Sequence, residues 1–311
     1  MSTKFASDDP ALTRVRELVL SADPDGSRFA QTFRSSYDRL YNGQWTGRYS
    51  WDQLYKTEKT HFGTLIEIAI RQEFDDIIDD GVQDHLDYRI SGVDVDCKFS
   101  MGKAQWMIPM ECVGEIIIGL HASDEKSTWS LCVERATEDR LTQGGNRDRK
   151  RTFTKAARAD IQWLFDDAPL PVNRLLHLPE ADRAAIFEPR SGQQRVCELF
   201  RRTLGLSVNR ESIAAVAEQK DYMKRVRGNG GARGLLQPEG IVVLSGKYRN
   251  QASIAEQLVG AQLMPEELMA LRLAPATGGD AAPSVQIGAG WWRVAYPGEA
   301  VLPAPVIGEA T

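Results

Sequence analysis

The sequence has no apolar run of membrane-spanning length, and its first residues, Met1 to Pro10, have none of the marks of a secretory signal. Both absences point to a cytoplasmic protein. Cysteine is scarce. Cys97, Cys112, Cys132 and Cys197 show no C-x-x-C pairing. Cys97, Cys112 and Cys132 fall in apolar surroundings and are expected as buried free thiols. An excess of positive charge is also missing. The net charge of -5 does not advertise nucleic-acid binding, although a nuclease can be acidic overall if its basic residues cluster. What is present is an ordinary globular composition, 42% hydrophobic and 26% charged, in a chain of 311 residues whose length suggests two domains.

The stretch from Asp87 to Ser100 carries most of the information. Tyr88 and Ile90 alternate with polar residues, Ser91-Gly92 is a turn signal, and Val93, Val95, Cys97 and Phe99 alternate again. This reads as a β-hairpin. Successive strand side chains face opposite ways, so the apolar set enters a core while Asp94, Asp96 and Lys98 line the other face. Asp87 stands on or just before the partner strand. Two carboxylates on a rigid hairpin are hard oxygen ligands for a divalent cation, and a lysine beside them stabilises developing negative charge or orients a water. Those are the parts of metal-assisted phosphodiester hydrolysis. Asp-x-Lys in a strand is common and is usually a solvated face, so the context decides. Upstream, Leu65, Ile66, Ala69, Ile70 and Phe74 recur at helical spacing, with Glu67 inside the apolar pattern. A carboxylate there either marks a helix boundary or is compensated by a metal site fed by Asp87 and Asp96.

The remaining chain frames this core. Residues 11–24 and 28–42 suggest core-building helices, and Lys56, Lys59 and His61 a polar loop, either solvated or a phosphate clamp. Glu115 to Ala122 and Thr128 to Arg135 read as strands around a turn at Asp124 to Ser127, which makes a mixed α/β sheet. Asn146 to Lys155 is a basic run: a solvated face, or a DNA-backbone contact. Thr154 is placed to cap a helix running to Phe165. Linker signals from Asp166 to Val172 divide the chain into 1–166, a linker at 167–172, and 173–311.

Beyond the linker, helices are expected at Gln194 to Thr203 and Arg210 to Glu218, then a basic segment, Asp221 to Arg227, ended by Gly228 to Gly231. Two short helices with the second basic is a helix-turn-helix arrangement, and the strand from Ile241 could begin a wing. Short helix pairs also pack cores without touching DNA. The clustering of Lys224, Arg225, Arg227 and Arg233 around a glycine-rich segment with Asn229 favours DNA. Strands follow at Leu268 to Leu273, Ser284 to Ile287 and Trp291 to Tyr296, with Trp291 and Trp292 either stacking on bases or in the core. Leu302 to Thr311 is expected as a loose tail.

Glu67, Asp87 and Asp96-Cys97-Lys98 together resemble the PD-(D/E)xK nuclease pattern. Longer blocks resemble the NaeI family of type IIE restriction endonucleases: Gly43 to Arg48, Lys56 to His61, Gly63 to Glu67, Val95 to Met101, Tyr222 to Arg233, Pro238 to Ile241, and Trp292 to Gly298. The likeness covers nearly the whole chain. Leu86 stands where the superfamily has its proline, which is not a ligand, and the acidic stretch Asp75 to Asp84 is longer than the family's connection. The resemblance implies Mg²⁺ held by Asp87, Asp96 and the carbonyl of Cys97, with Glu67 holding a metal-bound water or a second ion and Lys98 orienting or helping to deprotonate the attacking water. It implies double-stranded DNA as substrate, cut at a short GC-rich palindrome such as GCCGGC to leave 5′-phosphates, and a homodimer to cut both strands. It also implies a C-terminal winged-helix domain that binds a second, effector copy of DNA. A repair or mobile-element nuclease with another target, and a non-catalytic winged-helix regulator, are the alternatives; the intact Glu67, Asp87, Asp96 and Lys98 set argues against the regulator.

Overall fold

The structure, a computed structural model, describes residues 8–79, 86–144, 147–277 and 282–308. Residues 80–84 of the acidic stretch, Asn146 of the basic run and the last three residues of the tail lie outside the described residues. The chain divides into two compact units, one holding Met1–Leu40 and Trp51–Val172, the other Tyr41–Ser50 and Asn173–Thr311. Residues 41–50 carry no linker signals, and only packing assigns them to the second unit.

In the first unit, helix α1 (Pro10–Ala22) starts where the Asp9 carboxylate accepts from the Ala11 and Leu12 amides, with Pro10 in the first turn. Helix α2 (Ser27–Tyr41) buries Phe29, Phe33 and Tyr37. Helix α3 (Gly43–Thr46) belongs to the second unit. Helix α4 (Lys56–Glu73) begins earlier than expected, because the Tyr55 amide donates to the Glu58 carboxylate, 2.8 Å, and closes the first turn. Lys56, Lys59 and His61 therefore lie on helix, not in a loop. The buried row is Phe62, Ile66, Ile70 and Phe74, while Leu65 and Ala69 are half-buried.

These helices cover a sheet in the order β1 (Tyr88–Ile90), β2 (Val93–Phe99), β3 (Ile116–Ser123), β4 (Thr128–Arg135) and β5 (Trp163–Pro169). All neighbours are antiparallel except β2 and β3, which run parallel. The β1–β2 turn has Ser91 and Gly92 both left-handed, φ 50° and 78°, as a two-residue turn matched to strand twist requires. One sheet face carries the aromatic packing of Phe62 on Phe99 and of Phe29 and Phe33 on Trp129. The other carries Trp106, Cys112, Ile117, Cys132, Leu141 and Phe153.

Helix α5 (Lys155–Ala159) has Thr154 as its cap, with Oγ accepting from Ala157 at 3.1 Å, but it ends six residues before Phe165. Trp163 and Phe165 are strand residues instead, drawn into β5 by packing on Trp106 and Trp129. The stretch expected as a linker begins inside β5. Asp167 takes a left-handed φ of 48°, its amide donates to Ser130 Oγ, and Leu170 is buried. Gly119 is a position where packing tolerates nothing larger, since a Cβ there would lie 2.6 Å from the Trp106 ring. Gly119→Ala is expected to lower stability by about 1–3 kcal/mol in urea unfolding, and an unchanged midpoint would mean that Trp106 moves aside freely.

The second unit packs α3 on the helix Arg210–Ala217, with Gly43 so close that a Cβ would sit 2.6 Å from that of Ala215. Its elements are α6 (Glu180–Phe187), α7 (Gly192–Arg202), β6 (Ser207–Asn209), α8 (Arg210–Ala217), α9 (Ala232–Leu236), β7 (Ile241–Ser245), α10 (Arg249–Val259), β8 (Glu267–Pro275), β9 (Ser284–Ile287) and β10 (Gly290–Val294). Strand β8 pairs antiparallel with β6, β7 and β10, and β10 with β9. Helices α6 and α10 have no counterpart in the sequence reading. The tail is not loose up to Gly308. Ala304 is buried and bonded to Gln237 through both its amide and its carbonyl, and Asn250 and Gln251 donate to the Gly308 carbonyl. Trp292 packs against the core, whereas Trp291 is exposed.

Candidate active site

The hairpin β1–β2 brings the acidic residues together as their alternation requires. Asp96 is 3% exposed, whereas Asp94 faces solvent near Arg89. The Cys97 amide donates to Asp87 Oδ2 at 2.8 Å, which fixes Asp87 across the hairpin. Lys98 Nζ donates to the Cys97 carbonyl at 3.1 Å, lies 3.5 Å from Asp87 Oδ2, and forms an ion pair with Asp96 Oδ2. Three oxygens thus converge on one positive charge. The buried Asp96 Oδ2 has the Lys98 ammonium as its ion-pair partner.

Glu67, on α4, lies within electrostatic reach of Asp87, Lys98 and Asp96. The Tyr88 hydroxyl donates to the Glu67 main-chain carbonyl at 2.8 Å and ties the helix to the hairpin. Sequence alternation reads Tyr88 as a core residue, and its polar tip gives no signal of this role. Helical periodicity puts Lys56, Gly63 and Glu67 in one row, and Gly63 approaches Phe99 at the end of β2. Lys59 lies over the Trp51 ring, and His61 falls off that row. Cys112, which the sequence places only in apolar surroundings, lies against Asp96.

The charges perturb one another in the directions this geometry demands. Burial pushes Asp96 up to about 6, against the opposing pull of Lys98. Burial and then the Asp87 charge raise Glu67. Burial works against the Lys98 ammonium, but Asp96 and Asp87 outweigh it and hold it above the usual lysine range. Two carboxylates, Asp87 and Asp96, and the Cys97 main-chain carbonyl fit a hard divalent cation. Among the described residues, no three His, Cys, Asp or Glu side chains form a ready-made cage. The donor set is therefore two side chains and one backbone oxygen, with Glu67 beyond them.

A pH dependence follows. Between the ordinary carboxylate range and about 6, the folded protein holds a proton on Asp96 that the unfolded chain does not. That proton favours the folded state at low pH, and its contribution fades as pH rises through about 6. A divalent cation must displace it. Apparent cation affinity is expected to be flat above pH 6 and to fall by about tenfold per pH unit below. Manganese titration followed by electron paramagnetic resonance without DNA checks this, and an affinity unchanged down to pH 5 would refute it.

In the second unit the residues expected to bind DNA divide. The basic segment is a 3-10 stretch, Tyr222–Val226, not an α-helix. Asp221 explains part of this by pairing with Lys224 at 3.0 Å and Arg225 at 3.3 Å, while Gln193 donates to the Arg225 carbonyl. Lys224, Arg227 and Asn229 are exposed. Arg233 is turned inward, donating to the Val243 carbonyl and Gln251 Oε1, each 3.0 Å. The glycines permit an internal approach. A Cβ on Gly231 would lie 2.4 Å from the Arg227 backbone, and one on Gly234 2.0 Å from the Gly228 carbonyl.

Comparison with known proteins adds a separate line. The family model for restriction endonuclease NaeI matches residues 13–303. The chain is 44% identical over 311 residues to the type II restriction enzyme NaeI of Lentzea aerocolonigenes, covering 98% of this chain and 96% of that protein.

Proposed function

The chain belongs to the restriction endonuclease NaeI family, and on that premise we propose that its carboxylate hairpin carries out Mg²⁺-dependent cleavage of both strands of DNA at a short GC-rich palindrome. As a member of that family the protein is a type II restriction enzyme, a site-specific deoxyribonuclease. The observation that carries the assignment of the site is the convergence of Asp87, Asp96 and the Cys97 carbonyl on the Lys98 ammonium.

Asp87, Asp96 and the Cys97 carbonyl would hold Mg²⁺, and Glu67 would hold a metal-bound water or a second ion. A divalent cation there supplies charge at the phosphoryl oxygens and makes a strong nucleophile available near neutral pH. Lys98 orients the attacking water and balances charge developing on the phosphate. Asp87 takes the Cys97 amide and thereby keeps strand and carboxylate in register. Lys56 is in the row of Glu67, and with Lys59 and His61 it would contact phosphates of the same duplex. Attack at phosphorus leaves a 5′-phosphate and a 3′-hydroxyl. A palindrome has two equivalent scissile bonds, which calls for a two-fold homodimer.

The second unit would bind an effector copy of the target as a winged-helix domain. The α7–α8 pair, the basic stretch after it, the strand β7, and the exposure of Lys224, Arg227 and Asn229 support this. The test is digestion, with Mg²⁺, of plasmids carrying or lacking GCCGGC, with the ends mapped. Cutting of both alike would replace the restriction target with another nuclease specificity, and no cutting of either would withdraw the assignment. Lys224→Ala with Arg227→Ala is expected to leave the cut position unchanged and to weaken stimulation by an added target oligonucleotide. A wild type that shows no stimulation would make the second unit part of a single DNA clamp.

A further inference from the structure

Glu67 stands on a different layer from the carboxylates it would work with. Helix α4 covers the face of β2 that carries Phe99, since Phe62 packs edge-on against that ring at 5.0 Å. Asp96 and Lys98 occupy the opposite face of the same strand. Glu67 nevertheless feels the charges of Asp87, Lys98 and Asp96. Groups that act together at a reacting centre have to be held within about 0.5 Å of their working positions. The seating of α4 on the hairpin therefore matters most at Glu67.

Tyr88 bridges the layers at that residue. It is the register partner of Val95, on the α4 side of the hairpin, and is 2% exposed. Its hydroxyl donates to the Glu67 carbonyl at 2.8 Å and lies against the Cys97 thiol, its diagonal neighbour across the ladder. Cys97 is held from both faces, because the preceding residue, Asp87, accepts its amide. One phenol thus touches the helix at Glu67 and the strand between Asp96 and Lys98. The Arg71 guanidinium, one turn beyond Glu67, lies 5.5 Å over the Tyr88 ring. The helix itself does not need the bond. Inside α4 the Glu67 carbonyl already accepts the amide four residues on, and the hydroxyl takes its second lone pair. Filling the core needs only the ring, and burying a hydroxyl as well carries a desolvation cost.

Resting on the assignment of the carboxylate hairpin as the cation site, we propose that the Tyr88 hydroxyl is a positioning group for cleavage, which sets Glu67 against Asp87 and Asp96. It touches neither cation nor DNA and acts through Glu67.

The experiment is a cycle of four full chains: wild type, Tyr88→Phe, Glu67→Gln and the two changes combined. Phenylalanine keeps the buried ring and the Arg71 contact and strands no carbonyl, so the urea midpoint should barely move. Single-turnover cleavage of a target duplex across a Mg²⁺ series yields a maximal rate. Electron paramagnetic resonance with Mn²⁺, without DNA, yields cation affinity independently of cutting. Groups that orient the ligands of a metal are typically worth about 10–100-fold in affinity or activity, and Tyr88→Phe is expected to lose about tenfold in rate, in cation affinity, or divided between them. Duplex affinity, from anisotropy in EDTA, should stay at the wild-type value. In the Glu67→Gln background the same change should cost less than about twofold, because the group it positions has gone. An equal loss in both backgrounds would overturn the proposal, since the hydroxyl would then act through something other than Glu67, and so would no loss beside a wild type that cuts and binds Mn²⁺. If the wild type binds Mn²⁺ without cutting, the nuclease assignment fails, and the Mn²⁺ cycle still decides the role of Tyr88. A wild type that does neither withdraws the cation site and the positioning role together.

Discussion

Asp96→Asn is expected to reduce Mg²⁺-dependent cleavage by at least about a thousandfold while DNA binding stays close to wild type. Asparagine keeps the volume of a side chain that is 3% exposed and removes the charge on which the cation would depend. It leaves Lys98 with Asp87 Oδ2 at 3.5 Å, so the ammonium is not stranded. Folding should therefore be little affected, and removing a buried carboxylate also removes its desolvation cost. The measurement is single-turnover cleavage alongside anisotropy binding of the uncut duplex. Near-normal turnover would take Asp96 out of the reaction.

The second large effect is expected from Lys98→Ala. One preorganised charge beside a reacting phosphate is typically worth about 10²–10³ in rate, and a loss of that size is expected in single-turnover cleavage. Cation binding should move the other way. In the structure the ammonium lies among the oxygens of Asp87, Asp96 and Cys97 that a cation would take, so its removal should leave cation affinity equal to or above that of wild type. A rate loss below about tenfold would reduce Lys98 to a surface residue of β2. A large rate loss with cation binding also lost would mean that the lysine holds the carboxylates in place.

The hairpin is legible in the sequence because its information is local. Period-two alternation from Tyr88 to Phe99 sets which side chains share a face, and Ser91-Gly92 sets the register, so Asp96 and Lys98 had to point the same way. The buried free thiols of Cys97, Cys112 and Cys132 and the strands β3 and β4 follow from equally local patterns.

Where the sequence reading failed, the deciding contact was distant in the chain. Trp163 and Phe165 continue a plausible helix by spacing, and only the rings of Trp106 and Trp129 make them a strand. The start of α4 turned on one capping carboxylate. Arg233 looks like its basic neighbours in sequence, but its partners Val243 and Gln251 come together only when β7 and α10 pack. The glycines of 228–234 signal a close approach without naming what approaches, and it proves to be their own backbone.

The sequence by itself therefore determined that Asp96 and Lys98 stand on one face of one strand, and to which family the chain is similar. Tertiary structure alone decided that Asp96 is buried enough to titrate near 6, that Glu67 is tied to the hairpin through Tyr88, and that residues 41–50 belong with the second unit. The physical reason is range. Alternation and turn preference act over a few residues, whereas burial, and the charge shifts it causes, depend on side chains brought together from tens of residues apart.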